Sequence, residues 1–460
     1  MPPRYMQIRN ELLRRIEGNF YSDRQLPPEI VLAQEFQVNR NTLRRSIGDL
    51  EKLGVVWRIP GKGTFLYDPG HSPEKKVSFN FRLWSGSIFC QRYRELAENY
   101  RRLFDEFSRR YPWVKVNIEF FQLTNSSLTY HPELMDCTHP TVCLLNYAAD
   151  HARLGHLLSL EKFLELEDYR HIDPRLLMYH CGPDGKRGLY TIPFATCVGG
   201  AAFRKDFFET AGESSFTPPE TWEELLMLVE KLKEKNLNFS PIELEFLLWR
   251  GSMSRYLPYF WNGETEENLL SNTPELNPEK WRNALEFFKK LYPFRNREGE
   301  KTPPALKLAS LPHTFDDKWQ FFPYPRLSRE HRHITYLNPH MLGFSSGFAA
   351  NASLRKVIPL LVRFILEPEI QLRIFRDFKL MPARTGLFSA MEKCDPEMAR
   401  ICDYGSKYGI TAFDMPESDE LHETLHAMSV HAAAGISSVS AAVREAQEKL
   451  AAGLSPVSSR

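Results

Sequence analysis

Arg40, Thr42, Arg44 and Arg45 crowd into six consecutive residues. Guanidinium forks at that density suit phosphates, or the acceptor edge of guanine. The stretch reads as a short helix, with Asn39 placed to cap it and Leu43, Ile47 and Leu50 recurring at i, i+4 and i+7 on one apolar stripe. On that geometry Asn41, Arg44 and Arg45 turn away from the stripe, and Arg40 sits in the first turn. An arginine there opposes the helix macrodipole, which favours anions at the N-terminus. A polyanionic partner accounts for it, and a solvated cationic face is the other reading.

Two further strings have catalytic spacing. His422-Glu-Thr-Leu-His426 spells H-E-x-x-H, which on a helix sets two zinc ligands beside a general base, with Glu445 at the distance of a third ligand. It falls in a C-terminal helical run, where solvated histidines are expected instead. Gly343-Phe-Ser-Ser-Gly347 spells G-x-S-x-G. A nucleophile elbow needs a helix directly after it, whereas Phe348-Ala-Ala reads as more strand, so a glycine–serine turn is expected. His331, His333 and His340 are expected in a solvated loop rather than around a metal. No phosphate loop and no segment with a pyridoxal-lysine layout occurs. The chain is expected to have no enzymatic activity, no cofactor and no metal.

The cationic helix has to be held by its neighbours. A first helix, roughly Arg4 to Glu17, aligns Tyr5, Ile8, Leu12 and Ile16 for packing. A second, from Pro28 to Phe36, buries Leu32, Ala33 and Phe36. Gly54 ends the third helix as a C-cap would. Val55 to Ile59 then reads as a strand, Pro60-Gly61-Lys62-Gly63 as a tight turn, and Thr64 to Tyr67 as a returning strand. A helix followed by a two-stranded ribbon with a basic, glycine-rich tip is the layout of a winged helix.

These residues resemble a GntR-type DNA-binding domain. The matching pieces are Leu26-Pro27, Leu32-Ala33, V-x-R-x-T-x-R from Val38 to Arg44, L-x-x-L-G from Leu50 to Gly54, and G-x-G-T-F from Gly61 to Phe65. The resemblance implies DNA contacts from Arg40, Thr42, Arg44, Gly61 and Gly63. After Leu26-Pro27 the family usually carries serine-glutamate-arginine, and here it is Pro28-Glu29-Ile30. A phosphate-contacting arginine is therefore missing, which shifts weight onto Arg45, Lys62 and Arg58.

Composition sets the wider frame. A chain of 460 residues exceeds one ordinary domain, and 42% hydrophobic content fills large cores. The net charge of +1 excludes a bulk polyanion binder, so DNA affinity has to come from a local patch. Seven scattered cysteines without a C-x-x-C argue against a disulfide framework or thiolate zinc site and suit a reducing cytosol. No signal segment and no membrane-length apolar run is evident, so a cytoplasmic location is expected.

Residues 1–70 are thus expected to form a winged helix and residues 71–76 a linker. The texture changes at residue 77. Val77 to Trp84 and Trp113 to Phe121 alternate as strands around a helix from about Arg92 to Arg110, and Thr141 to Leu145 is a short apolar strand. Strands separated by helices indicate an α/β sheet. The order of pieces from here is similar to the bacterial extracellular solute-binding, sugar-binding family. They include F-x-x-x-Y-P-x-V-x-V from Phe107 to Val116, DGKRGLYTIP from Asp184 to Pro193, F-R-K-D-F-F-x-x-A-G from Phe203 to Gly212, P-P-x-T-W-E-E-L from Pro218 to Leu225, and M-P-A-R from Met381 to Arg384.

That resemblance implies a two-lobed α/β domain over residues 77–460, of the type II periplasmic-binding kind, joined by hinge strands that close on a ligand. Sugar sites pair aromatic platforms with a few polar groups. Trp84, Tyr147, Trp261 and Arg384 fall where the resemblance places cleft loops. Trp222 is expected to pack beneath its helix, with Thr221 as cap and Glu224 closing a capping box.

The functional expectation is a regulator that binds operator DNA as a homodimer and senses a small molecule, most plainly a carbohydrate. Two alternatives stand beside it. The rear domain is then only a dimerisation or partner-binding module with a degenerate cleft, or the HETLH helix holds a zinc hydrolase.

Overall fold

The computed structural model describes residues 3–453, apart from 18–19, 22, 53–54, 68–75, 85–92, 122–134, 136–138, 146, 213–215, 236–237, 245–255, 261–277, 296–301, 312–317 and 412–418. The front of the chain holds three helices, α1 (Arg4–Glu17), α2 (Glu29–Glu35) and α3 (Arg40–Lys52), and a hairpin of β1 (Val56–Ile59) and β2 (Gly63–Leu66). Ile8 and Leu12 of α1, Leu32 of α2, and Leu43, Ile47 and Leu50 of α3 are buried together. The apolar stripe of each helix thus becomes a shared core. Asn39 caps α3, its Oδ1 accepting from the Thr42 amide at 2.8 Å. The suggested C-cap Gly54 lies outside the described residues.

Behind it, among the described residues, runs one mixed sheet of ten strands. β3 (Val77–Trp84) is parallel to β4 (Val114–Phe121) and to β5 (Thr141–Leu145), with α4 (Tyr93–Arg110) as the first crossover. A small hairpin, β6 (Tyr179–Cys181) and β7 (Arg187–Leu189), precedes the long β8 (Thr191–Arg204). Next come β9 (Ser240–Leu244), β10 (Pro304–Leu311), β11 (Trp319–Phe322) and β12 (Thr335–Phe344). The main path is β4-β3-β5-β12-β8-β10-β9.

β8 is what makes two lobes out of one sheet. Its first part, Thr191 to Val198, pairs antiparallel with β12. Its second part pairs with β10 from Val198 and with β11 from Ala201. Two cores lie on either side of this exchange. One gathers Phe79, Phe81, Phe104, Phe107, Trp113 and Phe194; the other gathers Phe208, Trp222, Tyr259, Trp281, Phe288 and Leu306. β13 (Met381–Pro382) adds to β8, and β14 (Gly409–Ile410) pairs parallel with β12. The helices Asp419–Ala433 and Val439–Gly453 contribute Leu425, Met428 and Val443 to the second core.

Local expectations meet tertiary facts at several points. Trp222 is buried, stacks on Phe287 at 4.5 Å and donates its indole N–H to the Pro325 carbonyl at 3.0 Å. Thr221 Oγ1 caps the helix by accepting from the Glu224 amide, but Glu224 reaches back to the Glu220 amide, one residue earlier than a capping box requires. The segment after Gly343-Phe-Ser-Ser-Gly347 is a correction: Ser346–Ala350 is a 3₁₀ turn, not strand, and Asn351 caps the helix Ala352–Ile365. Ser345 is fully buried, its Oγ taking the Thr141 amide at 2.9 Å and donating to the His139 carbonyl at 3.1 Å. Both of these bonds go to backbone groups and neither to a general base, so the hydroxyl fastens the turn to the start of β5.

A second correction concerns the histidines. His340 lies on β12 in the middle of the sheet, with Nε2 3.3 Å from Cys197 Sγ, rather than in a solvated loop. His331 Nδ1 lies 2.7 Å from Ser328 Oγ, and His333 Nδ1 lies 3.3 Å from the Tyr324 carbonyl oxygen. Among the described residues, no helix is long and apolar enough to cross a membrane.

Candidate nucleic-acid interface and ligand crevice

The cationic side of α3 is built by its packing. With Leu43, Ile47 and Leu50 committed to the core, the helical repeat turns Arg40, Asn41, Arg44 and Arg45 outward, and all four are exposed. Thr42 is half-buried. Ser46, fully buried, locks α3 to α1: its Oγ lies 2.8 Å from the Tyr5 carbonyl oxygen and 3.0 Å from that of Thr42.

Two of the arginines are held in place. Arg44 Nε donates to Glu29 Oε2 at 2.7 Å, reaching across to the first turn of α2. The Arg45 guanidinium lies 3.9 Å from the centroid of the Tyr5 ring. That stacking removes rotamer freedom without neutralising the charge. Arg58 on β1 donates to the Arg44 carbonyl at 3.3 Å and approaches Glu51 at 3.6 Å, tying the ribbon to α3.

The ribbon tip is a type II turn. Pro60 stands at its second position, Gly61 follows with φ +75°, and the Lys62 amide donates to the Ile59 carbonyl at 3.0 Å. Gly63 has φ +119°, and a Cβ there would meet Gln25 Nε2 at 2.5 Å. Gln25 donates that Nε2 to the Lys62 carbonyl at 2.9 Å, and the Leu26 amide donates to the Thr64 carbonyl at 2.9 Å. The chain before α2 therefore acts as a third strand that stiffens the ribbon and leaves Lys62 exposed at its tip. Glu29 and Gln25 are the two positioning residues that the sequence reading did not single out. Their partners lie 15 and 37 residues away, beyond any local pattern.

The four positions expected near a ligand fall differently. Trp84 ends β3, opposite Phe121 of β4. Trp261 lies outside the described residues. Tyr147 follows β5 and is half-buried. Arg384 bridges to Ile172, and its Nη1 donates to the Leu366 carbonyl at 3.0 Å, at the C-terminal end of the helix Ala352–Ile365. Burial, with Arg170 nearby, pushes the Arg384 guanidinium pKa below its ordinary value.

Gln371, fully buried, accepts the Arg384 amide at 3.2 Å and donates to the carbonyls of Phe194 and Ile365. The loop carrying Arg384 is thereby fastened to β8. This use of the arginine, closing a helix end, is a structural one. In the HETLH string, His426 Nδ1 lies 3.0 Å from Tyr256 Oη, and Thr424 and Leu425 face the core. Among the described residues, no group of three or more His, Cys, Asp and Glu side chains is placed to hold a metal ion.

Residues 4–66 match the family model described as bacterial regulatory proteins, gntR family. Residues 102–325 match that of the bacterial extracellular solute-binding proteins. The arabinose metabolism transcriptional repressor of Geobacillus stearothermophilus is 38% identical over 76 residues, which are 16% of this chain and 20% of that protein. The HTH-type transcriptional regulator GmuR of Bacillus subtilis is 39% identical over 64 residues, 14% of this chain and 27% of that protein. The match thus spans about a quarter or less of these curated relatives.

Among solved structures, maltose-bound MalE3 of T. maritima superposes with a TM-score of 0.63 at 17% identity, over 82% of this chain and 100% of that one. A Thermotoga lettingae solute-binding protein bound with α-D-tagatose gives 0.62 at 16% identity, over 82% of this chain and 98% of that one. The chain joins an N-terminal helix-turn-helix domain of the bacterial gntR regulatory family to a domain with the fold of the bacterial solute-binding proteins.

Proposed function

We propose that this protein is a cytoplasmic, ligand-responsive transcription regulator. Residues 1–70 bind operator DNA, residues 71–76 link, and residues 77–460 sense a small molecule in the crevice between two lobes. The observation that carries this reading is the joining, in one chain, of an outward-facing arginine helix to a sheet whose long strand β8 passes between two separate cores. Arg40, Thr42, Arg44 and Arg45 enter the major groove, while Gly61, Lys62 and Gly63 of the ribbon lie along the adjacent backbone. A homodimer on a palindromic site brings two such helices to successive major grooves.

The effector is a carbohydrate. Support comes from the fold shared with proteins bound to maltose and tagatose, and from the arabinose-metabolism repressor among the relatives of the front domain. A ligand changes DNA affinity only through its differential affinity for the DNA-competent state. Lobe closure supplies two such states, because it alters how paired front domains are spaced.

The test is fluorescence anisotropy of operator candidates from the chromosomal neighbourhood, titrated with the full chain with and without sugars. Nanomolar binding that shifts with one sugar supports the reading. Binding that is weak on every sequence, or unmoved by any sugar, speaks against it.

A further inference from the structure

Arg4 opens α1, and no carboxylate stands in the first turn of that helix. A cation there faces the positive end of the helix macrodipole. Its guanidinium is nonetheless held in place, Nη1 donating to Gln7 Oε1 at 3.1 Å and Nη2 to the Phe36 carbonyl at 3.2 Å. Phe36 caps the end of α2, so the side chain of Arg4 lies at the turn that leads into α3. Both acceptors are neutral. The pairs Arg15–Glu35, Arg44–Glu29 and Arg58–Glu51 instead set each guanidinium against a carboxylate. Arg4 is thus exposed and fixed in direction, and it keeps its charge and most of its N–H donors for a further partner.

The surroundings of α3 say what that partner is. With 3.6 residues per turn, Thr42 and Ser46 lie on one side of the exposed face of α3, and Arg44 and Glu51 lie on the other. α1 takes the first side: Ser46 Oγ bonds to the Tyr5 carbonyl oxygen, and the Arg45 guanidinium stacks on the Tyr5 ring. The ribbon takes the second, with Arg58 on the Arg44 carbonyl and beside Glu51. Arg4, next to Tyr5, and the ribbon therefore flank the arginine face from opposite sides. A helix seated in a major groove has one phosphate backbone on each flank. On α2, where the resemblance expects a phosphate-contacting arginine, Ile30 stands exposed instead.

We propose that Arg4 is a phosphate contact, gripping the DNA strand on the flank opposite the ribbon. This rests on the DNA-binding reading above and adds a second backbone anchor to it. A guanidinium fork matches two phosphate oxygens. Such a contact fixes the seating of α3 in the groove and carries no sequence information.

Fluorescence anisotropy of the full chain on short duplexes of random sequence, at several salt concentrations, tests this without an operator. Loss of one phosphate contact flattens the slope of log affinity against log salt by about 0.9 for each copy bound. Arg4→Gln should do so and weaken every duplex by the same factor. Arg14→Gln, the same charge change at an exposed position further along α1, should leave the slope unchanged. If circular dichroism melts show that Arg4→Gln does not fold, Gln7→Glu takes its place. Its carboxylate, set against Nη1, neutralises Arg4 with the Phe36 bond kept, and should flatten the slope in the same way. A wild-type slope in the folded variant makes Arg4 only a clasp on the end of α2; equal flattening by Arg14→Gln makes it bulk charge. Either result overturns the phosphate contact and leaves the DNA-binding reading standing. A wild-type chain that binds no duplex at low salt overturns both.

Discussion

Glu29 Oε2 accepts from Arg44 Nε at 2.7 Å, so a carboxylate on α2 sets the direction of an arginine on α3 before any polyanion arrives. Both side chains keep contact with solvent, at 55% exposure for Arg44 and 22% for Glu29. Such a pair contributes only about 0.2–1 kcal/mol to folding. Effects of its removal on DNA binding are therefore separable from effects on stability. Arg44→Ala should cost about 1–3 kcal/mol of specific affinity if the side chain reads a base edge. Glu29→Gln, which removes a negative charge from the same surface, should raise affinity for random duplex and narrow the gap to the specific site. Anisotropy with matched specific and scrambled duplexes measures both. An Arg44→Ala loss equal on all sequences would make it a phosphate contact instead.

The ribbon tip makes a conformational prediction. Gly61 has φ +75° with open space where a Cβ would stand, so Gly61→Ala meets backbone strain rather than a clash. The left-handed conformation costs an L-residue about 1–2 kcal/mol. The variant should lower front-domain stability by about 1 kcal/mol and weaken DNA binding. Urea titration followed by anisotropy on the same samples relates the two losses. Unchanged stability would mean that the tip adopts another turn.

Gly199 makes a steric one. A Cβ there would stand 2.4 Å from Tyr336 Cε1, and Tyr336 is fully buried. Gly199→Ala should destabilise the rear domain by about 1–3 kcal/mol, as overpacking does. The pair Gly199→Ala with Tyr336→Leu should recover part of the loss. Thermal melting of the four proteins of that cycle gives the coupling. Additive losses would show that the ring does not occupy the space left by the glycine.

His180 makes a pH prediction. It lies buried on β6, where desolvation, with Arg187 nearby, pushes its pKa from 6.5 down to about 4. The unfolded chain takes up a proton near pH 6.5, while the folded chain stays neutral there until about pH 4. The unfolded state thus binds more protons across that window, and stability falls as pH falls through it. The full effect is about 3 kcal/mol. Denaturation midpoints at pH 7 and pH 4.5 should differ less in His180→Leu than in the wild type. Equal differences would locate the acid sensitivity elsewhere.

Much of this architecture was legible in residue order, because it rests on short-range physics. The Asn39 cap, the Leu43–Ile47–Leu50 stripe, the Pro60-Gly61 turn and the alternation of Val77 to Trp84 each depend on neighbours within one or two turns or one strand. These patterns carry both the winged helix and the rear α/β domain. The sheet position of His340 and the turn after Ser345 are not legible in local sequence, because both depend on strands far away in the chain.

What the sequence by itself determined was the three front helices and their ribbon, the first strands and crossover helix of the rear sheet, and the outward side of α3. Only the tertiary structure decided which side chains meet. Cys197 and His340 are 143 residues apart, Arg44 and Glu29 are 15 apart, and Gln371 reaches a carbonyl 177 residues away. Such pairings depend on sheet register and on how two cores share one strand. A one-residue slip in register would turn His340 and Asn338 to the opposite face.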